Sequence, residues 1–476
     1  MSAPLRRRTV LLAGGALAAG GPLLGGGTAP AAAGPAPTAP STSVAAADAQ
    51  VAAILKRIRP PHFPDRWYDV TKFGAVGDDA TDCTGAIRAA IEACHRAGGG
   101  HVVVPAGDYR TGAVHLLSRV DLHLEHGARL AFSQDPAAYL PVVATRYEGT
   151  ECYNYSAFVY AYGQRDVAIT GQGMLDGRAD TTHWWDWTGG PPPNEGPDKT
   201  ALIQLAAAGV PVEERVFGEG HYLRPNLLQL NRCENVLVDG ITVKDSPMWN
   251  IHPVLCRNVT IRGVTVDSPN GPNNDGIDPE SCTDVLIENC TISTGDDCVA
   301  FKSGKDADGR RVNVPSRYAV VRNCTMADGN GGVTVGSETS GGVLDVFVRD
   351  CTMSSPHLER AIRIKSNPDR GGTITNIDVR RVSVGQAADS VIEIVLNYAN
   401  VITGAYPPDV HGITISRLTV ASAPRALNLL GLADDPLRDI HLHQCRFDAI
   451  TEPNVITYVE GLRLDQVWIN GTHTTK

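Results

Sequence analysis

The chain has 476 residues, with 49 glycines, 31 prolines and only 6% aromatic residues, which excludes a mainly helical protein and suits many short strands joined by turns. Its formal charge of −10 excludes a surface built for nucleic acid or for an anionic membrane. Any anionic partner must therefore be met by locally concentrated positive charge.

In chain order, the N-terminus "LRRRTVLLAGGALAAGGPLLGGG" joins an arginine cluster to a short, glycine-rich apolar run. Such a run is too short and too weakly apolar for a membrane span and reads as a signal peptide over 1–33, with cleavage near Ala31, Ala32 or Ala33. Arg7-Arg8-Thr9-Val10-Leu11 resembles a twin-arginine signal, which predicts a secreted protein exported already folded. Residues 34–65, with "GPAPTAPSTSVAAADAQ", read as a flexible leader, and 66–474 as one domain.

That domain opens with a strand near Trp67, an Asp/Gly loop, and a helix over 83–96 with Asp82 or Thr84 as its N-cap and Gly98, Gly99 and Gly100 ending it. A lone helix ahead of a strand array predicts a cap over the open end of a solenoid. Residues 136–225 are irregular and rich in Trp, Pro and Gly, which predicts long ordered loops beside a groove. From Asn235 onward a strand pattern N/D-V/I-x-V/I recurs at Asn235, Asn258, Asp284, Asp345, Asn376 and Asp439. Strand-rich repeats of irregular length predict an all-β, right-handed parallel β-helix, with the Asn and Asp at corners that need left-handed backbone. Six cysteines (Cys233, Cys256, Cys282, Cys290, Cys324 and Cys351) recur in one repeat context, which predicts stacked buried thiols and few or no disulfides. No cysteine spacing resembles a zinc site.

Within this repeat, "NNDGIDPESCTDVLIENCTISTGDD" places Asp275 and Asp278 on one rung and Asp296 and Asp297 on the next. Crowded carboxylates drive each other's pKa values apart, leaving one as an acid and another as a base, which is what hydrolysis of a glycosidic bond requires. The other readings of such a cluster are a solvated acidic loop or a Ca²⁺ site. Further along, Arg363 and Lys365 fall on one face of a strand with Ile364 in the core, a pair suited to the carboxylate of an anionic sugar or to an ordinary solvated face.

The ordered set Asn273-Asn274-Asp275, Gly295-Asp296-Asp297, Gly329-Asn330-Gly331 and Arg363-Ile364-Lys365 resembles glycoside hydrolase family 28, the polygalacturonases, whose marks are N-T-D, D-D, G-H-G and R-I-K. The strings "SPMWNIHP", "DDCVAFKSG" and "GSE" look similar as well. The resemblance implies a secreted, inverting hydrolase of α-1,4-galacturonan. It implies Asp296 as general acid, Asp275 and Asp297 activating water, and Arg363 and Lys365 holding the substrate carboxylate. Asn273, Asp278, Lys302, Asn330 and Tyr398 are candidates for the sugar-binding wall, with Trp249 and His252 possible liners of the groove. Asn330 stands where the family has His, and an amide hydrogen-bonds but cannot titrate.

The resemblance implies no cofactor and no metal, and an anionic galacturonan as partner for a monomer that binds neither nucleic acid nor membrane. The long loops over 139–165 and 178–225 predict a groove closed at one end and hence exo action. The competing readings are a hydrolase of another uronide such as rhamnogalacturonan, a Ca²⁺-dependent lyase on the same fold, and a non-catalytic uronide-binding β-helix.

Overall fold

The computed structural model describes residues 44–189 and 193–475. The predicted signal peptide and residues 34–43 of the predicted leader lie outside the described residues. The rest of that leader is not a flexible segment, and this corrects the expectation: α1 (Val44–Arg57) buries Ala47 and Ile54. It packs with Ile58 on Leu286, Val320 and Phe347, apolar residues on the outer face of the solenoid. Ion pairs pin both ends of α1, Asp48 to Arg380 at 2.8 Å and Arg57 to Asp284 at 2.6 Å. Three large apolar side chains on one outward face would otherwise lie against water, and α1 is their cover. Among the described residues no helix is long and apolar enough to cross a membrane.

The body is a right-handed parallel β-helix with three walls. One wall runs from Trp67–Asp69 through Glu234–Asp239, Arg257–Arg262 and Thr283–Glu288 to Arg463–Ile469. Its register stacks Val236, Val259, Val285, Ala319, Val346, Ile377, Ile413 and Ile440 in one column. A second wall is built of shorter strands such as Thr265–Ser268 and Thr291–Thr294. The third, the groove wall, carries Ile251–Val254, Val299–Phe301, Val333–Val335, Ile362–Lys365, Ser390–Val395 and Arg425–Leu430. Single bridges through Ile277 and Glu280 join its early strands to its later ones. Successive rungs are separated by roughly 4.8 Å, so each column of aliphatic side chains is in contact along its length and the core is one continuous stack.

The corners are as the repeat predicts. Asn235, Asn258, Asp284, Asp345, Asn376 and Asp439 have φ of 59°, 58°, 60°, 57°, 54° and 51°, the left-handed region that Asn and Asp tolerate best. Their side chains bond along the axis, Asn258 Nδ2 donating to Asn235 Oδ1 at 2.7 Å and Asn376 Nδ2 to Asp345 Oδ1 at 2.6 Å. All 11 cysteines are buried free thiols. The backbone N–H of Cys233 donates to Cys256 Sγ, and that of Cys256 to Cys282 Sγ, each at 3.4 Å. α2 (Thr84–Arg96) buries Ile87, Ala90, Ile91 and Cys94 against the first rungs. Cys83 occupies its N-cap position, while Asp82 Oδ1 accepts from the Thr84 N–H at 2.9 Å, so the predicted cap acts one residue earlier.

Candidate active site

The site lies where loops entering the groove wall pass over a floor of small residues. In the outward column of that wall Ala300, Thr334 and Arg363 are register partners, so a methyl and a hydroxyl lie where longer side chains would fill the space. Asp296 and Asp297 hang over this floor from the loop before Val299–Phe301, and Asp275 joins them from the rung before. One oxygen from each of the three carboxyls falls within 4.8 Å of the others.

Two glycines allow the approach. A Cβ on Gly295 would lie 2.2 Å from the Gly271 carbonyl oxygen, so this position is glycine for close passage of backbone. A Cβ on Gly331 would lie 2.7 Å from Asp297 Oδ1.

Cations flank the acids unequally. Lys365 Nζ is 2.7 Å from Asp297 Oδ2, and Arg363 Nη1 is 3.4 Å from Asp297 Oδ1. Lys302 Nζ lies 3.0 Å from Asp275 Oδ2 and 3.4 Å from Glu338 Oε2, with the Trp249 ring 4.2 Å away. Among the described residues no cation is within ion-pair distance of Asp296; the Asp297 N–H donates to its Oδ1 at 2.9 Å, and the Asn330 N–H donates to its backbone carbonyl at 3.0 Å.

The protonation states separate accordingly. Burial pushes Asp275 up to about 7, Lys302 pulling against it and Asp296 and Asp297 reinforcing the rise. Burial, then the Asp297 charge, raises Asp296. Burial acts on Asp297 in the same sense but is outweighed by Lys365, Arg363 and Lys302, which bring it down to about 2. Burial and mutual repulsion thus raise Asp275 and Asp296, while the cations lower Asp297 beside them. Asp296 alone of the three is only half-buried and open to the groove; Asp275 and Asp297 are buried.

Several predicted wall residues lie elsewhere. Asp278 has no exposed surface and neither of its carboxylate oxygens has a hydrogen-bond partner, so no sugar reaches it; burial and Asp275 raise its pKa and keep it neutral. Lys302 is buried between Asp275 and Glu338 and pairs with both. Arg363 and Lys365 share one face over a buried Ile364 as expected, but they are largely covered because both engage Asp297. His252 is buried and shares a hydrogen bond with Glu280 Oε2 at 2.9 Å, and Trp249 is a packed core residue whose Nε1 donates to Asn273 at 3.4 Å. Asn273, Asn330 and Tyr398 are half-buried at the groove.

The structure adds residues that the motifs did not indicate. Glu393 accepts from Arg363 Nε at 3.1 Å and pairs with Arg360 at 2.8 Å, so it orients the guanidinium that contacts Asp297. A lone acid inside the apolar strand "SVIEIV" is the signal that marks it. Glu148 sits at the turn of an antiparallel hairpin, Val143–Tyr147 with Thr150–Asn154, and accepts from Asn273 Nδ2 at 3.0 Å. Lys199 at 2.8 Å and Lys305 at 3.3 Å hold the same carboxylate. Lys199 lies on α3 (Gly196–Ala207), and Arg224 fastens this region by pairing with Glu195 at 2.8 Å and donating to the Pro272 carbonyl at 2.9 Å.

Asp275, Asp296 and Asp297 also have the spacing of a cation site. Lys302 and Lys365, each within ion-pair distance of one of them, already supply the neutralising charge a divalent ion would bring. Outside the groove, His441, His443 and Asp465 form a second cluster with metal-ligand spacing. Arg463, the register partner of His441, opposes a cation there.

A family profile described as Glycosyl hydrolases family 28 matches residues 218–449, and one described as Rhamnogalacturonase A/epimerase, pectate lyase-like, matches 67–122. A probable polygalacturonase of Vitis vinifera is 32% identical over 409 residues, covering 82% of this chain and 77% of the relative. The chain belongs to glycoside hydrolase family 28. Among solved structures, an exopolygalacturonase from Thermotoga maritima superposes with a TM-score of 0.87 at 43% identity, covering 90% of this chain and 97% of the other. The Yersinia enterocolitica family 28 exopolygalacturonase superposes with a TM-score of 0.69 at 23% identity, covering 85% and 76%, a likeness of fold. Family 28 members are glycosidases, and this chain is a glycoside hydrolase.

Proposed function

We propose that this hydrolase removes single galacturonate residues from the non-reducing end of galacturonan with inversion at the anomeric carbon. The observation that carries the reading is the trio of carboxyls within 4.8 Å, in which Arg363 and Lys365 lower Asp297 while burial raises Asp275 and Asp296. Asp296, the member open to the groove, is placed to give its proton to the bulky glycosidic oxygen. Below neutral pH Asp275 carries its own proton, so Asp297 is the group that takes the proton from the attacking water as the new C1–O bond forms and the glycosidic bond breaks. Both oxygens of Asp297 are engaged by cations, which keeps it ionised and so able to accept that proton. The close spacing of the acids is nearer to the roughly 5–5.5 Å of retaining enzymes than to the roughly 6.5–9.5 Å of inverting ones; the α- or β-anomer first released, followed by proton NMR, decides the point.

Exo action is supported by the tethered hairpin, which brings Glu148 onto Asn273 at the edge of the acid trio. The names of the Thermotoga and Yersinia neighbours agree with it. Reducing-end release from polygalacturonate, with D296N as control and products separated by size, tests the whole reading. Monomer alone from the earliest time, lost in D296N, is the expected result; a ladder of oligomers with a rapid fall in viscosity refutes exo action. Export by the twin-arginine route belongs to the same proposal, and retention of an R7K/R8K double variant inside the cell is its test.

A further inference from the structure

Resting on that reading, we infer that the leaving-group side of the groove ends in a site for an uncharged sugar unit, a uronate whose carboxyl is methyl-esterified. The hairpin closes one end of the groove, so the polymer leaves the acid trio over Arg363 and Lys365. In the groove wall Lys365 is the register partner of Val395, Val395 of Leu430, and Leu430 of Thr457. At roughly 4.8 Å per rung, Leu430 and Thr457 lie about 10 and 14 Å beyond Lys365 along the axis. A cavity of about 530 Å³ opens there, a size typical of small-molecule sites.

Its walls differ in kind from the catalytic end. Pro368, Ile402, Leu430 and Tyr458 present apolar surface, Asp434 and Asp435 supply negative charge, and among the described residues no Lys, Arg or His lines it. Ile402 and Tyr458 are 65% and 54% exposed, unusual for residues of their size. The shape is held by backbone contacts: the Tyr398 N–H donates to Ser366 O at 3.1 Å, the Tyr406 N–H to Pro368 O at 2.9 Å, and the Leu432 N–H to Asp435 O at 3.1 Å. Two cations near this rim are already engaged: Arg310 stacks on Tyr406 and donates to the carbonyls of Asp369 and Arg370, and Arg438, which lines an adjoining pocket with Asp434 and Asp435, pairs with Asp409. A free galacturonate in the cavity faces two aspartates and no cation among the described residues that line it. Esterification removes the repulsion and adds a methyl group that the apolar wall accepts.

The experiment compares two galacturonate pentamers of equal length, one with free carboxyls and one methyl-esterified on its reducing-end units, with digalacturonate as a substrate too short to reach the cavity. The expected result is a kcat/KM for the esterified pentamer roughly five- to tenfold above that for the free acid, the size set by two exposed like-charge contacts. The difference should reside in KM. In a D434K/D435K variant the ratio falls to one or below. Equal kcat/KM for the two pentamers in the unmodified enzyme, or a ratio unmoved by the charge reversal, overturns the inference. Digalacturonate reports separately on the proposed function; if it is not cleaved, calorimetric titration of both pentamers into D296N still decides whether the cavity prefers the ester.

Discussion

Lys365 sets the charge state of the proposed base, and K365M tests this most directly. The ammonium is 2.7 Å from Asp297 Oδ2 and is the largest of the influences that lower that carboxyl, ahead of Arg363 and Lys302, against a burial that would raise it. Together they carry Asp297 from its ordinary 3.8 to about 2, a difference of roughly 2.5 kcal/mol. Without Lys365, burial and the neighbouring Asp296 regain the upper hand and the carboxyl moves back to its ordinary value or above. The acid limb of kcat/KM, which reports the coupled trio in the free enzyme, is therefore expected to rise by about 2 pH units. Stability follows the same sign: a depressed carboxyl contributes above its unfolded pKa near 4, and the contribution is lost as pH falls toward 2, so K365M forfeits it throughout the neutral range. The assay is kcat and KM on digalacturonate from pH 3 to 7, with thermal melts at each pH. If Lys365 only grips the substrate carboxylate, KM rises and the acid limb stays in place; that outcome refutes the reasoning.

D296N is expected to lose about 10²–10⁴-fold in kcat while melting no lower than the unmodified enzyme at neutral pH, because a carboxyl whose pKa is raised in the fold opposes stability once ionised; circular-dichroism melts check this. Asp275, raised to about 7, contributes stability that is full below its unfolded value and is lost as pH rises through 7. D275N should therefore flatten the fall in melting temperature between pH 4 and 8, a change of up to about 4 kcal/mol. I54D, which places a charge against Leu286, Val320 and Phe347, should detach α1, lower the melting temperature and increase dye binding to exposed apolar surface without changing kcat on digalacturonate. E148A should loosen the hairpin from Asn273 and allow oligomers among the early products, seen by size separation.

What the sequence revealed of this molecule is what is determined locally. The left-handed corners at Asn235, Asn258 and Asp284 announce themselves because so few residue types tolerate that backbone, and the aliphatic alternation beside them fixes which side faces the core. Asp275, Asp296, Asp297, Arg363 and Lys365 were legible as an ordered set, and the structure brings them together. The environment of each was not. Asp278 and Lys302 look like groove residues until Glu338 and Trp249, from rungs on either side, are seen to enclose Lys302. Helix α1 follows a low-complexity stretch, and its partners lie more than two hundred residues away, so composition alone made it look unstructured. His252 pairs with a glutamate one rung on, a partner that no spacing within its own strand indicates.

The rung repeat also acts as a ruler. Arg363 stands two rungs beyond Val299–Phe301, roughly 10 Å along the axis, yet its guanidinium comes within 3.4 Å of Asp297. Only long side chains cross that gap, which gives a physical reason for Arg and Lys at these positions where a shorter cation would fall short. Loops between rungs can lengthen without disturbing the measurement, since the strands alone set the pitch. Insertion of one whole rung between Phe301 and Ile362 would leave every strand properly paired and still separate the acids from their cations by a further 5 Å or so, a well-folded protein with a dismantled catalytic centre.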